Sequence, residues 1–108
     1  MIDLKEKQCV PCEEGTPPLN NEEAIHFKKK LPAGWRLLEN KKLRKEYPFA
    51  DFKRGMAFAQ RIGIIAEQQN HHPDICIHYS NVEVELSTHA IGGLSENDFI
   101  MAAKIDTV

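Results

Sequence analysis

The sequence predicts an α+β domain with helices packed on one face of an antiparallel sheet, and three observations carry that prediction. A long amphipathic run from Phe52 to Asn70 has helical periodicity. Two segments of alternating apolar and polar residues, Asp74 to Tyr79 and Val82 to Thr88, follow it with only Ser80-Asn81 between them. Two capping signatures, Asn20 with Glu23 and Ser95 with Asp98, place shorter helices on either side.

At 108 residues the chain has the length of one domain with a modest core. Its net charge is −2 with both signs interspersed, so it lacks the basic footprint of a direct nucleic-acid binder. The run Lys28-Lys29-Lys30 reads as the solvated last turn of a helix, where the macrodipole favours cations. No stretch approaches the ~20 apolar residues of a membrane span. Charged residues run through the N-terminus, which therefore does not read as a signal peptide. An odd count of three cysteines argues against a disulfide framework, and a reducing cytoplasm is the expected address.

Residues 1–19 read as an N-terminal arm and residues 20–108 as the domain. The arm carries Cys9-Val10-Pro11-Cys12 and then Gly15, Pro17 and Pro18, which resist regular structure. Structural cysteines, half of a metal site and a redox pair are all compatible with one Cys-x-x-Cys. No second pair follows to complete a zinc site, and Pro17-Pro18 opposes the helix a redox motif wants.

The first helix should run from Asn21 to Lys30, with Ala24, Phe27 and Leu31 as its apolar stripe, and stop at Pro32 and Gly34. Trp35 to Leu38 and Leu43 to Phe49 read as short strands joined around Asn40. Trp35 is either a core anchor or a pocket wall. Asp51 is positioned to cap the long helix. Its expected inner face is Phe52, Met56, Ala59, Ile62, Gly63 and Ala66, with Gly55 and Gly63 permitting close packing on a sheet. Pro73 requires an end near Asn70, itself an acceptable left-handed C-cap.

With a two-residue turn at Ser80-Asn81, Tyr79 faces Val82, Ile77 faces Val84 and Ile75 faces Leu86. That register puts His72 opposite His89, on the sheet face away from the helices, and His78 opposite Glu83. After His89 the glycines Gly92-Gly93 make a flexible corner, and a last helix runs to about Lys104 with Phe99, Ala102 and Ala103 inward.

The candidate chemistry therefore gathers around His71, His72 and His89. Glu67 stands four residues before His71, within reach of a hydrogen bond. Histidine exchanges protons near neutral pH. Two or three imidazoles around one pocket suit a reaction that delivers a proton at one atom and removes one at another, such as elimination of water. Neither a nucleophile, a metal nor a redox cofactor is needed for it. Three histidines also bind zinc, but no further carboxylate or cysteine clearly completes such a site. Histidines merely satisfied at a sheet edge are the remaining reading of the spacing.

These residues resemble a known family. Glu67-x-x-x-His71-His72-Pro73, then Tyr79, His89 and Asp98 at fixed spacing, is similar to the signature of the pterin-4a-carbinolamine dehydratases. Trp35, Phe52, Ser87-Thr88-His89 and Gly93-Leu94-Ser95 agree with it, and the resemblance covers roughly residues 20 to 106. It departs from some animal members at Asn70 and Ile75.

The resemblance implies a four-stranded antiparallel sheet with three helices on one face, assembled as a homodimer or homotetramer. It implies dehydration of 4a-hydroxytetrahydrobiopterin to quinonoid dihydrobiopterin, recycling the pterin of aromatic amino acid hydroxylases, with the pterin as substrate and no cofactor. By position, His71, His72 and His89 are the expected catalytic residues, with His71 and His89 as proton donor and acceptor and His72 orienting the pterin. Glu67, Pro73, Trp35, Ser87, Thr88 and Asp98 are the expected substrate-contacting or supporting residues, Asp98 chiefly as a helix cap. The alternative implied by the same family is a non-catalytic protein-binding module, a dimerisation cofactor or an assembly factor.

Overall fold

The computed structural model describes residues 3–11 and 15–108. After a 3₁₀ turn at Leu4–Glu6, the elements are α1 (Asn21–Lys28), β1 (Arg36–Leu38), β2 (Lys42–Pro48), α2 (Phe52–Gln69), β3 (Asp74–Ile77), β4 (Asn81–Leu86), a 3₁₀ turn at His89–Ile91, and α3 (Glu96–Ile105). The four strands form one antiparallel sheet in the order β1-β2-β4-β3. Its inner face carries Leu43, Val82, Val84 and Leu86, all fully buried beneath the helices. Its outer face is charged: Arg44 pairs with Glu83 at 2.9 Å and Glu85 at 2.7 Å, and Lys42 with Glu85 at 3.0 Å. The fold is thus the α+β sheet with three helices on one face that the sequence leads one to expect.

Local chemistry sets the helix ends. The Asn20 side chain accepts from the Glu23 N–H at 2.8 Å while the Glu23 carboxylate accepts from the Asn20 N–H at 3.0 Å. Asp51 caps α2 by accepting from the Arg54 N–H at 2.8 Å. Asn70 closes α2 in the left-handed conformation, φ 51°, with its N–H on the Ala66 carbonyl.

The first helix ends at Lys28, two residues before the expected Lys30, and two larger details also differ from the sequence-based expectation. The buried face of α2 is Gly55, Phe58, Ile62 and Ala66, whereas Phe52 and Met56 are exposed. The helix is turned by about 60° from the expected face, at 100° per residue. Aromatic packing selects this face: Phe58 sits between Tyr47 and Phe49, at ring-centroid distances of 4.7 and 5.1 Å. Gly55 lets the helix approach β4, since a Cβ there would lie 3.2 Å from the Val82 side chain, whereas Gly63 faces open space.

The β3–β4 register is also displaced. Ile77 pairs with Val82 and Ile75 with Val84, two residues from the expected alignment, because the tight turn is Tyr79-Ser80, closed by the His78 N–H on the Asn81 carbonyl at 2.8 Å. A slip of two keeps every apolar residue of the ladder on the inner face, so the alternation alone does not distinguish the two registers. Tyr79 is consequently exposed in the turn, and His78 meets Glu83 diagonally at 3.8 Å. His72 precedes β3 and His89 follows β4, so the expected His72–His89 ladder pair does not form.

The core joins the sheet to Ala24, Phe58, Ile62, Phe99, Ala102 and Ile105, with Phe27 stacked on Phe99 at 5.4 Å. Trp35 is a core residue, 3% exposed. Its indole N–H donates to Asp106 at 2.7 Å, beside Lys45 at 2.8 Å and the Tyr47 hydroxyl at 2.6 Å. Burial, with the Asp106 carboxylate adding to it, pushes the Tyr47 phenol well above its usual range. Among the described residues no helix is long and apolar enough to cross a membrane.

Candidate active site

Three chain segments converge at one end of the sheet. The αL cap at Asn70 turns the chain out of α2 and releases His71 and His72 directly from the helix end. Strand β4 ends at Leu86 and the chain continues through Ser87, Thr88 and His89, where Thr88 and Gly93 form an isolated bridge. The first turn of α3 brings Asn97 and Asp98 to the same place. The result is an open cleft of about 580 Å³ lined by all three histidines together with Ser87 and Thr88. It lies between helix ends and the end of β4, not on the outer face of the sheet where the expected ladder would have placed it.

Each of the adjacent histidines has its own carboxylate. The His71 ring, nearly buried, bonds through Nε2 to Asp98 Oδ1 at 2.7 Å, and the Asp98 side chain is completely buried. The other oxygen of Asp98 accepts from the Thr88 hydroxyl at 2.8 Å and from the Ser95 N–H at 3.0 Å. Thr88 Oγ1 also lies 2.8 Å from Ser95 Oγ. Asp98 is therefore a helix cap and an orienting group at once. When Asp98 carries its charge it can only accept, and the bond then requires the proton on His71 Nε2, which leaves Nδ1 as the acceptor whenever the ring carries a single proton. His72 Nε2 is hydrogen-bonded to Glu67 Oε2, out on the exposed rim. Glu67 thus serves His72, not His71 as its i,i+4 spacing had led one to expect. His89, exposed at the start of its 3₁₀ turn, makes no side-chain hydrogen bond among the described residues.

Of the supporting residues expected from the sequence, Ser87 and Thr88 line the cleft, and Asp98 and Glu67 hold its histidines. Trp35 and Pro73 do not line it. Trp35 is committed to the core and to Asp106. Pro73 steers the chain from the Asn70 turn into β3.

The cleft also has walls that sequence reasoning missed. Cys9, Val10 and Pro11 of the arm line it, with Gln69, Asn70 and Asn97. The arm is tied down: Lys7 pairs with Glu96 at 2.6 Å and Lys104 donates to the Lys5 carbonyl at 2.9 Å. The Cys9 N–H donates to Gln69 Oε1 at 2.8 Å. Cys12 lies outside the described residues, so the pairing of the Cys-x-x-Cys is not described. The available signal was Asn97, a polar residue on the buried side of α3, since such a group needs a specific partner. Among the described residues, the set of three His, Cys, Asp or Glu side chains whose ligand atoms lie within 4.8 Å of one another is elsewhere, at Cys76, His78 and Glu83 on the outer sheet face. There Glu83 is already engaged by Arg44.

Comparison with known proteins shows the family. The family model of pterin 4 alpha carbinolamine dehydratase matches residues 17–108. A curated protein of Rubrobacter xylanophilus, provisionally named pterin-4-alpha-carbinolamine dehydratase, is 45% identical over 106 residues, which is 98% of each chain. One from Nitrosospira multiformis with the same provisional name is 50% identical over 98% of this chain and 92% of its own. A crystal structure described as a transcriptional coactivator/pterin dehydratase from Brucella melitensis superposes with a TM-score of 0.77 at 28% identity, covering 83% of this chain and 96% of that one. A pterin dehydratase-like protein identified as a RuBisCO assembly factor in the alpha-carboxysome shares the fold, with a TM-score of 0.59 at 22% identity over 70% of this chain and 92% of its own. The chain belongs to the pterin 4 alpha carbinolamine dehydratase family.

Proposed function

We propose that the protein dehydrates 4a-hydroxytetrahydrobiopterin, or a close pterin relative, to the quinonoid dihydropterin by histidine acid/base catalysis. The observation that carries this reading is the convergence of His71, His72 and His89 on one cleft, two of them on separate carboxylates. The C4a–O bond breaks as a protonated imidazole supplies the proton with which the hydroxyl leaves as water. A neutral imidazole removes the proton from the adjacent ring nitrogen, and the electron pair of that N–H bond forms the C4a=N5 double bond. His71 and His89 are the proposed acid/base pair and His72 the orienting residue. Each well-placed acid or base contributes roughly 10²- to 10⁴-fold. The reaction is redox-neutral and takes no cofactor besides its pterin substrate.

In this reading the protein recycles the pterin of an aromatic amino acid hydroxylase, acts in the cytoplasm and works as a homodimer or homotetramer. A second reading, a protein-binding module on the same fold, is favoured by the exposed Phe52, Met56 and Ile64 of α2. One experiment separates them. A stopped-flow absorbance assay follows loss of the 4a-hydroxytetrahydropterin with and without metal-stripped protein. Acceleration supports the dehydratase. A folded protein that gives none leaves the binding module.

A further inference from the structure

Most of the residues lining the cleft are polar: three histidines, Ser87, Thr88, Gln68, Gln69, Asn70 and Asn97. A flat heteroaromatic ring needs more than edge-on hydrogen bonds. Small-molecule sites hold such rings against apolar walls and use a few polar groups to fix orientation. The apolar side chains among the lining residues are Val10 and Pro11 of the N-terminal arm, beside Cys9, and Ala90. Val10 is 65% exposed, an unusual investment for a valine held so firmly. Its N–H donates to Asn97 Oδ1 at 3.0 Å, and its carbonyl accepts from Asn97 Nδ2 at 2.5 Å. Both backbone groups of one residue are thus gripped by one side chain that is itself 5% exposed. The preceding residue is fixed by Gln69, whose Nε2 also donates to Gln8 at 2.9 Å. Gln69 ends α2 immediately before the αL cap and the histidine pair, and Asn97 stands next to Asp98. The arm is therefore anchored to the same two helix ends that hold the imidazoles.

We infer that Val10 and Pro11 are substrate-positioning residues, the apolar wall against which the pterin packs, and that Asn97 and Gln69 are the clamps that set the wall. The inference rests on the pterin-dehydratase reading and adds to it the part of the chain that sets affinity. Because the wall contacts substrate before and during the reaction alike, its contribution is uniform binding, which appears in KM and not in kcat.

The test uses the full chain. Val10→Ser removes the apolar contact at an exposed position without touching the backbone clamp, so the fold and Tm are kept. Its KM for the 4a-hydroxytetrahydropterin should rise about fivefold, the size expected for withdrawing a valine side chain from contact, with kcat within about twofold of wild type. Affinity for oxidised biopterin, which does not react, should fall by a similar factor in equilibrium dialysis. Asn97→Ala, which frees the wall, should reproduce the KM rise. Unchanged KM and biopterin affinity in a Val10→Ser protein whose wild type is active would overturn the inference and leave the dehydratase intact. A fall in kcat with KM unchanged overturns it as well, because the arm would then act on chemistry. An inactive wild type overturns the dehydratase reading, and this inference with it.

Discussion

Asp98→Asn is the substitution that tests most directly how the cleft is built. The carboxylate makes three bonds: His71 Nε2 on one oxygen, and the Thr88 hydroxyl and the Ser95 N–H on the other. An asparagine has one oxygen and one NH₂. Turning its oxygen toward Thr88 and the Ser95 N–H keeps both of those bonds and aims the NH₂ at His71. His71 Nε2 must then accept, and the ring proton moves to Nδ1, the nitrogen that the wild-type arrangement leaves as proton acceptor. The packing survives, because the two side chains have nearly the same shape. The loss is one charge-assisted bond, about 1.5–3 kcal/mol, or a Tm lower by roughly 6–20 °C for a domain of this size. The effect on kcat should be larger in kind, about 10²- to 10³-fold, because a group in the wrong tautomer forfeits most of its acid/base contribution. Stopped-flow rates measure the second effect, and the ¹⁵N shifts of His71 report the tautomer itself. Thr88→Val removes one donor to Asp98 but leaves the bond to His71, and should cost less than about tenfold. A folded Asp98→Asn protein with kcat within threefold of wild type, or with an unchanged His71 tautomer, would refute the assignment of Asp98 as the orienting group.

Other expectations follow from the same geometry. His72→Ala and His89→Ala should each lower the dehydration rate at least about tenfold with Tm nearly unchanged, since both side chains are exposed. An unfolded His89→Ala protein would show a structural role instead. Asp106→Ala strands the Trp35 N–H, the Tyr47 hydroxyl and the Lys45 ammonium together, and should destabilise by about 3–5 kcal/mol in urea titrations. Burial raises the folded-state pKa of Tyr47. Its contribution is therefore complete below the ordinary phenol range, about pH 10, and is lost as pH rises beyond it. Tyr47→Phe should flatten the alkaline fall in Tm. Glu85 behaves in the opposite sense. The hydrogen bonds from Arg44 and then Lys42 lower its pKa, so its contribution holds above the ordinary carboxylate range and disappears as pH falls through the folded value. Glu85→Gln should have a lower Tm than wild type at pH 7, and the gap should close in acid.

What was legible in the sequence was local. Asn20 with Glu23, Asp51 and the αL Asn70 each satisfy backbone groups within a few residues, so their pattern is written in the adjacent chain. The gathering of the three histidines was also legible, but the reason offered for it was not the operative one. Registers with the turn at Ser80-Asn81 or at Tyr79-Ser80 put the same apolar residues on the inner face, Tyr79 apart, because a sheet repeats every two. Choosing between them depends on pairings beyond the hairpin, including β4 with β2. The face of α2 was ambiguous for a similar reason. Phe52 and Met56 continue an apolar stripe, but Phe58 fits the space between Tyr47 and Phe49, and only the sheet reveals that space. The arm was opaque altogether. Its contacts with Gln69 and Asn97 span 60 and 87 positions in the chain and follow no period.

The two neighbouring residues Asn97 and Asp98 face different partners, one the arm and the other His71. Heredity then has little freedom at this corner. A single insertion or deletion in the Ser95–Asp98 turn would displace the hold on the arm and the hold on His71 together, and neither could be lost without disturbing the other.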